Sequence, residues 1–476
     1  MSDRDPRRLR IAMYVGKDTS RDTRVLREAD ALAAAGHDVV LVALLSDGSP
    51  QPTEERRPSG VRLVRVPRGD SLSRWRTVQQ RTAHPWRARG ALARGVAVDV
   101  RSGPSGWLRA GAKALAAVVA LPWIAYRVVA YGLLGDRLPG LRRHGQLDYV
   151  MTWRLSLYGW ACVAATVAPD ADVHHGHDVT GLVAAVAAAK GTPALVVYDS
   201  HELYPESGLH ARQGPFARWW LRSLERRLAR HAVALVTVNR TLEAILRNNL
   251  GITRSVVVHN APPRWIPPDP APDLLRERLH LPPEARIALY HGNFAPDRGL
   301  RQLADAILEP GMDDTHLVFL GYGRLRDELA ERAAAPASRG RIHLLDAVSP
   351  DDLAAWVASA DVGVMPNQPV SANQRLSTPN KLFESMAVGL PIVSSDFPER
   401  RRIILDDPAG RLGAVCDPTK PEAIAAAIRS IVDLPIAERA ALRSRILQAA
   451  HQRWNWETES ARLVALYEEL AAERSS

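Results

Sequence analysis

A chain of 476 residues is too long for one compact core and leaves room for two or three domains. Apolar residues at 46% and charged residues at 24% exclude wholesale disorder. The two cysteines, Cys162 and Cys416, are too few and too far apart for a disulfide scaffold, an iron–sulfur cluster or a thiolate zinc site, and they suit a reducing compartment. The net charge of +10 is concentrated: Arg68–Arg143 holds 14 Arg and Lys against three acids, so the remaining 400 residues sum to −1.

The first apolar run, Ile11–Val15, is too short for a secretory signal and reads as part of a strand, Arg10–Val15, of a cytoplasmic protein. A glycine-containing loop (16–23), a helix to Ala35 and an apolar strand, Val39–Leu44, follow. Wholly apolar strands between helices are the pattern of a parallel sheet covered on both faces. The unit recurs with strands at Ala194–Tyr198, Ala234–Val238 and Ser255–Val258, and helices at Phe216–His231 and Thr241–Asn248. Residues 260–272 read NAPPRWIPPDPAP, a proline density that no helix or sheet interior tolerates, and so mark a connector. Beyond it a second series begins, with strands at Ile287–His291, His316–Leu320, Ile342–Leu344, Val362–Met365 and Pro391–Ser394 and a helix at Leu300–Leu308. Two doubly wound α/β domains are expected.

The order of motifs resembles the retaining GT-B glycosyltransferases of family 4, from about Ile11 to Leu470, with residues 68–145 outside the match. The motifs are GKDTSRDTRVLREADALAAAGHDVVLVA, DVHHGHDVTG (172–181), VVYDSHELYPE (196–206), YHGNFAPDRGL (290–300), FLGYGRL (319–325), DAVSPDDLAAWVASADVGVMP (346–366) and STPNKLFESMAVGLPIVSSDFPE (377–399). The resemblance implies two Rossmann-like domains facing across a cleft: an acceptor-side domain, 1–265, a donor domain, 266–455, and a final helix, 456–476, crossing back to the first.

It also implies roles. Gly292 lets backbone amides approach a diphosphate, Arg298 stands at the usual cation position, and Asn293 replaces a usual arginine. Gly321, Gly323 and Val348 line the nucleotide, and Glu384 accepts from the ribose hydroxyls. Lys381, three residues before it and beside Asn380, offers a substitute cation. Leu376 stands where many members carry a sugar-binding Glu, leaving Asn373, Gln374 and Ser377 to hold the sugar. On the acceptor side, His177 and Asp178 map onto a pair facing the sugar, and His201 with Glu202 onto an Asp-x-His-Glu signature. Arg24 and Asp22 either meet the acceptor or the diphosphate, or Arg24 pairs with Glu28 on the helix surface. His177 is open between function and a hydrogen-bonded loop histidine.

Arg298, Lys381 and His177 are the expected catalytic set. Neither cofactor nor metal is expected, because no thiolate or second cluster completes a set with His174, His175 and His177. The implied reaction is retaining transfer from a nucleotide sugar to a glycan or lipid-linked acceptor. The rivals are a sugar-nucleotide epimerase and an inactive membrane scaffold, while a nucleic-acid role lacks a recognised module. The segment 68–145 combines tryptophans, cations and the uncharged run Ala114–Tyr126, and reads as helices lying on an anionic membrane surface. An insertion packed on the first domain and a true membrane span are the alternatives.

Overall fold

A computed structural model describes residues 8–19, 22–46, 48–67 and 145–475, with isolated positions between 99 and 111. The insertion at 68–145 therefore falls almost wholly outside the described residues.

The first lobe is built on β1 (Arg10–Val15), β2 (Asp38–Leu45), β3 (Glu54–Arg56), β4 (Arg62–Pro67), β5 (Val173–His177), β6 (Leu195–Ser200), β7 (Ala232–Thr237) and β8 (Ser255–Val257). They form one sheet in the order β3-β4-β2-β1-β5-β6-β7-β8. All pair in parallel except β3 on β4. Its helices include α1 (Thr23–Ala34), α2 (Gly145–Ala164), α3 (Asp178–Ala189), α4 (Pro215–Ala229) and α5 (Arg240–Leu250). The second lobe holds β9 (Arg286–Asn293), β10 (Thr315–Tyr322), β11 (Ile342–Leu345), β12 (Val362–Met365), β13 (Ile392–Ser395) and β14 (Gly413–Cys416), an all-parallel sheet ordered β11-β10-β9-β12-β13-β14. Its helices include α6 (Leu300–Ala306), α7 (Asn380–Ala387) and α8 (Pro398–Leu405). A last helix, α9, runs Trp456–Ser475.

In each sheet the chain builds outward on one side of a first strand and then returns to build on the other. The reversal falls between β1 and β5 in the first lobe and between β9 and β12 in the second. Such switch points leave a crevice at the carboxyl ends of the strands, where open α/β sheets bind ligands.

Two features depart from the sequence reading. The charged stretch around Glu54–Val66 forms the β3–β4 pair, which periodicity did not suggest; β3 is a short edge strand, so polar residues are tolerated there. VHHGH is itself the central strand β5, fully buried, rather than a loop after a strand. Polar side chains are tolerable in a central strand only when each has a partner. Here His174 Nδ1 lies 3.0 Å from the Tyr14 hydroxyl and His175 Nδ1 lies 2.6 Å from that of Tyr467.

Helix α9 returns to the first lobe, with Leu463, Leu466, Tyr467 and Leu470 buried in the same core as Val25, Leu32 and Leu41. The buried Glu459 holds its entry by accepting from the His259 backbone N–H (2.9 Å) and lying 3.1 Å from His259 Nδ1. No helix among the described residues is long and apolar enough to cross a membrane. Leu463→Ala should destabilise the first lobe by about 2–4 kcal/mol through lost burial and the cavity left behind, read as a lower urea midpoint. An unchanged midpoint would show that α9 is not part of that core.

Candidate active site

The second-lobe half of the site forms where the β9 and β12 loops meet. Gly292 has φ +102°, and a Cβ there would stand 2.8 Å from Lys381 Nζ, so α7 delivers its lysine directly against the glycine loop. The loops touch again at Gly299, φ +72°, where a Cβ would fall 2.0 Å from the Pro366 carbonyl oxygen. Glu384, one turn after Lys381 on α7, accepts a 2.8 Å hydrogen bond from His291 Nε2. Burial opposes its ionisation, but His291, Lys381 and Arg27 together hold its pKa below the usual value. The carboxylate retains lone pairs for a ligand diol.

Three cations gather here with few acids. Burial, partly offset by Glu384 and reinforced by Arg298 and Arg400, brings the Lys381 pKa down to about 8. The nearest acid to Arg298 is Asp297 at 4.0 Å, and Asp297 already accepts from Gln374 Nε2. Arg400 is fully buried on the ring of Phe397. Its guanidinium donates to the Ser377 carbonyl, the Asn367 amide oxygen and the Gln374 carbonyl, all neutral. Burial and the nearby Arg298 draw its pKa down to about 9, which leaves it charged at neutral pH. A buried cation without a counter-charge is costly. An anion a few ångströms from such a group gains about 4 kcal/mol per close pair at the effective dielectric of a protein surface.

The first-lobe half lies at the ends of β1, β5 and β6. Arg24 does pair with Glu28 (2.9 Å), but in the core and not on the helix surface. Its guanidinium also reaches Asp199 at 3.3 Å and donates to the Val258 carbonyl at 2.6 Å. Only its Nε–H is left without a partner, and the residue is 3% exposed. His177 is likewise buried, with Nδ1 3.0 Å from Asp199 Oδ2. Burial, aided by His175 and only partly opposed by Asp199, lowers its pKa to about 3, so the ring is neutral. For His201 burial also lowers the pKa, but the charges of Asp199 and Asp178 outweigh it and lift it to about 9. Asp178 takes φ +53° at the strand–helix turn and accepts from the His201 backbone N–H. The groups nearest solvent are His201, Asp178 and Lys17, whose ammonium lies 2.8 Å from Asp22 and 3.9 Å from Asp178.

Glu28, His175, His177 and Asp199 place ligand atoms within 4.8 Å of one another. The fold thus completes a set around the histidines that chain spacing had not shown. Burial and Asp199 push the Glu28 pKa well above the usual carboxylate range despite Arg24, while His201 and Arg24 hold Asp199 well below it against burial.

The halves meet through side-chain bridges. Asn373 donates to Glu202 (3.0 Å) and accepts from the Leu203 N–H (3.1 Å), and Asn239 donates to the Leu376 carbonyl (2.9 Å). Thr241 binds Glu399 through both its N–H and hydroxyl, and Asn260 donates to Asn380. Leu376 packs on the first-lobe core, and Asn373 and Gln374, expected at the sugar, are engaged in this bridge and with Asp297.

Two family models match the chain: "Glycosyl transferase 4-like domain" over residues 109–261 and "Glycosyl transferases group 1" over 285–433, together more than half of it. The chain belongs to the group 1 glycosyltransferases. It is 31% identical over 190 residues to the phosphatidyl-myo-inositol mannosyltransferase of Mycolicibacterium smegmatis, covering 39% of this chain and 46% of that one. It is 25% identical to the glycogen synthase of Mycobacterium tuberculosis, covering 64% and 69%. The chain spans about half the length of the mannosyltransferases it matches. In fold it superposes on sucrose-phosphate synthase from Thermosynechococcus elongatus (TM-score 0.64, 17% identity, 98% of this chain and 100% of that one). It also superposes on Anabaena Alr3699/HepE in complex with UDP (TM-score 0.60, 12% identity, 97% and 100%).

Of the donor-side residues named from sequence, Gly292, Lys381 and Glu384 converge, with Arg298 close enough to depress the lysine's pKa. Asn293 ends β9, exposed, and Asn380 starts α7, joined to the connector. Val348 lies in the loop after β11, half-buried on an apolar cluster. Gly321 and Gly323 serve close packing, since Cβ atoms there would strike the Gly292 carbonyl and the Phe294 amide. Sequence reasoning missed Arg400, one of three consecutive arginines with nothing local to single it out, and Lys17, whose place directly after Gly16 was a usable signal.

The Lys381 pKa gives a signed expectation. An anionic diphosphate raises that pKa on binding, so affinity for the donor nucleotide should be flat below pH 8 and fall up to tenfold per pH unit above it. Lys381→Arg should flatten this profile. Calorimetric titration with UDP and GDP across pH 6.5–9.5 reads it, and an unbent wild-type profile would remove Lys381 from the diphosphate.

Proposed function

We propose that this transferase moves a sugar from a nucleoside-diphosphate sugar to a hydroxyl of a glycan or lipid-linked acceptor, with retention at the anomeric carbon. The observation that carries the reading is the surplus of positive charge formed by Arg298, Lys381 and Arg400 around the open backbone of Gly292. Fixed cations and amides aimed at a leaving diphosphate stabilise the charge that develops as the glycosidic bond breaks, without reorganisation at that moment. Arg298 and Lys381 would face the phosphates. Arg400, buried beneath residues 374–377, would hold that segment and add to the potential. Glu384 would orient the ribose. The acceptor would enter beside His201, Asp178 and Lys17. His177 would act from behind, through Asp199, and so as a positioning residue.

Arg298→Ala should lower kcat by about 10²–10³, the cost of losing one preorganised charge-stabilising group. A thermal-shift panel of UDP-, GDP- and dTDP-sugars should show stabilisation by one donor class, and proton NMR of the product should show the donor's anomeric configuration kept. Donor epimerised with no acceptor present would support the epimerase instead, and no nucleotide binding at all would support an inactive scaffold.

The basic segment at 68–145 would hold the enzyme on the cytoplasmic face of a membrane, its cations on anionic headgroups and its tryptophans at the boundary. Pelleting with phosphatidylglycerol vesicles at low salt, reversed at high salt and lost on deleting residues 70–143, is the expected result. Equal pelleting of the deletion would end this part of the reading.

A further inference from the structure

Behind the acceptor face, α1 and two neighbouring strands bring four side chains to a point. His175 and His177 are two residues apart on β5 and so share a face of the sheet. β6 lies beside β5 with Asp199 in register with His177. Glu28 arrives from α1, with Oε2 3.9 Å from His177 Nδ1. All four side chains are wholly buried, and one donor atom from each lies within 4.8 Å of the rest.

Three observations favour a bound cation. The first is how the acids divide their oxygens. The Arg24 guanidinium takes one from each, Glu28 Oε1 at 2.9 Å and Asp199 Oδ1 at 3.3 Å. The others face the histidines, with Asp199 Oδ2 3.0 Å from His177 Nδ1 and 3.7 Å from His175 Nε2. The second is spacing. Zinc bonds of about 2.0–2.1 Å set tetrahedral donor atoms about 3.4 Å apart, and the separations here run from 3.0 to 3.9 Å. The third is that Glu28 Oε2 and His175 Nε2 have no hydrogen-bond partner among the described residues. Buried polar atoms rarely go unpaired, and an ion at the centre would partner both.

Two carboxylates balance the charge of a divalent ion, and two imidazoles with two carboxylates suit zinc. The outer partners are also in place. Tyr467 lies 2.6 Å from His175 Nδ1, which leaves Nε2 for the cluster, and Arg24 orients both acids. His201, partly exposed and with Nε2 2.8 Å from Asp199 Oδ2, stands between the cluster and the cleft.

We propose that Glu28, His175, His177 and Asp199 form a structural zinc site that ties α1 to β5 and β6. Four protein donors leave no open position for a substrate, so the ion would shape the acceptor wall and take no part in sugar transfer. Folding supplies the two carboxylates that the histidine run lacks in sequence. The site is independent of the transferase reading.

Metal analysis by plasma mass spectrometry on the tag-free full chain tests it. Zinc equimolar with the chain is expected, either as isolated or after incubation with zinc chloride and desalting. Stripping it with dipicolinate should lower the melting temperature by several degrees, which zinc restores and magnesium does not. Glu28→Gln and His177→Gln should bring zinc to background. Should these fail to fold, Tyr467→Phe removes only the partner of His175 and should weaken zinc binding by about 10–100-fold. His343→Gln, in the second lobe's close pair with His316 (3.0 Å), should keep its zinc. A chain that takes up no zinc, or melts at the same temperature with and without it, overturns the proposal. So does wild-type zinc affinity in Glu28→Gln or Tyr467→Phe, or zinc lost only in His343→Gln. UDP and GDP thermal shifts in the same preparations report separately on the transferase reading.

Discussion

Positive charge without matching acid, gathered where β9 and β12 end, is the constraint around which the molecule is arranged. Arg298 lowers the proton affinity of both Lys381 and Arg400, and the acids close by, Asp297 and Glu384, are fewer than the cations. A fold tolerates such an imbalance when neutral dipoles hold the cations in place and a ligand completes the charge. Arg400 shows the first half of this. Its guanidinium is spread over carbonyl and amide oxygens and the face of Phe397, and no acid among the described residues pairs with it. Glycine at 292 leaves room for Lys381, whose ammonium lies where a side chain would stand.

The first lobe handles charge in the opposite way. Arg24, His201, Asp199 and Glu28 are collected into one nearly dry network behind the acceptor face. Most of its members have a partner within the lobe. Lys17, Asp22 and His201 keep partial exposure at its edge. Breaking one member of such a set strands another buried charge, which is why the network stabilises the lobe's shape more than its energy. The bridge at residues 373–376 joins the two regimes, and it stands where the family's sugar-binding acid would otherwise be. Leu376 packs its side chain against the first lobe.

The alternation of apolar strands and helices was readable in order, because a parallel strand covered on both faces must be apolar along its length. Val362–Met365 and Arg10–Val15 were legible to the residue. β5 was not, because its three histidines look like a polar loop until Tyr14, Tyr467 and Asp199, each distant in sequence, arrive to partner them. The glycine loop, Lys381 and Glu384 were legible through the family resemblance, whose motifs are short and local in the chain. Arg24 and Glu28 were recognised as a pair, but their burial was invisible: an i,i+4 pair looks the same on a surface as in a core.

Sequence alone determined the two α/β lobes and the proline-rich connector, because each depends on composition or periodicity within a short window, while the donor-side motif was read from its resemblance to a known family. Only the tertiary structure decided which charges stand unmatched. Whether an arginine is a spare cation or half of an ion pair depends on groups brought from other elements. Arg400 and Arg24 carry the same side chain, and the fold gave one neutral oxygens and the other two acidic side chains.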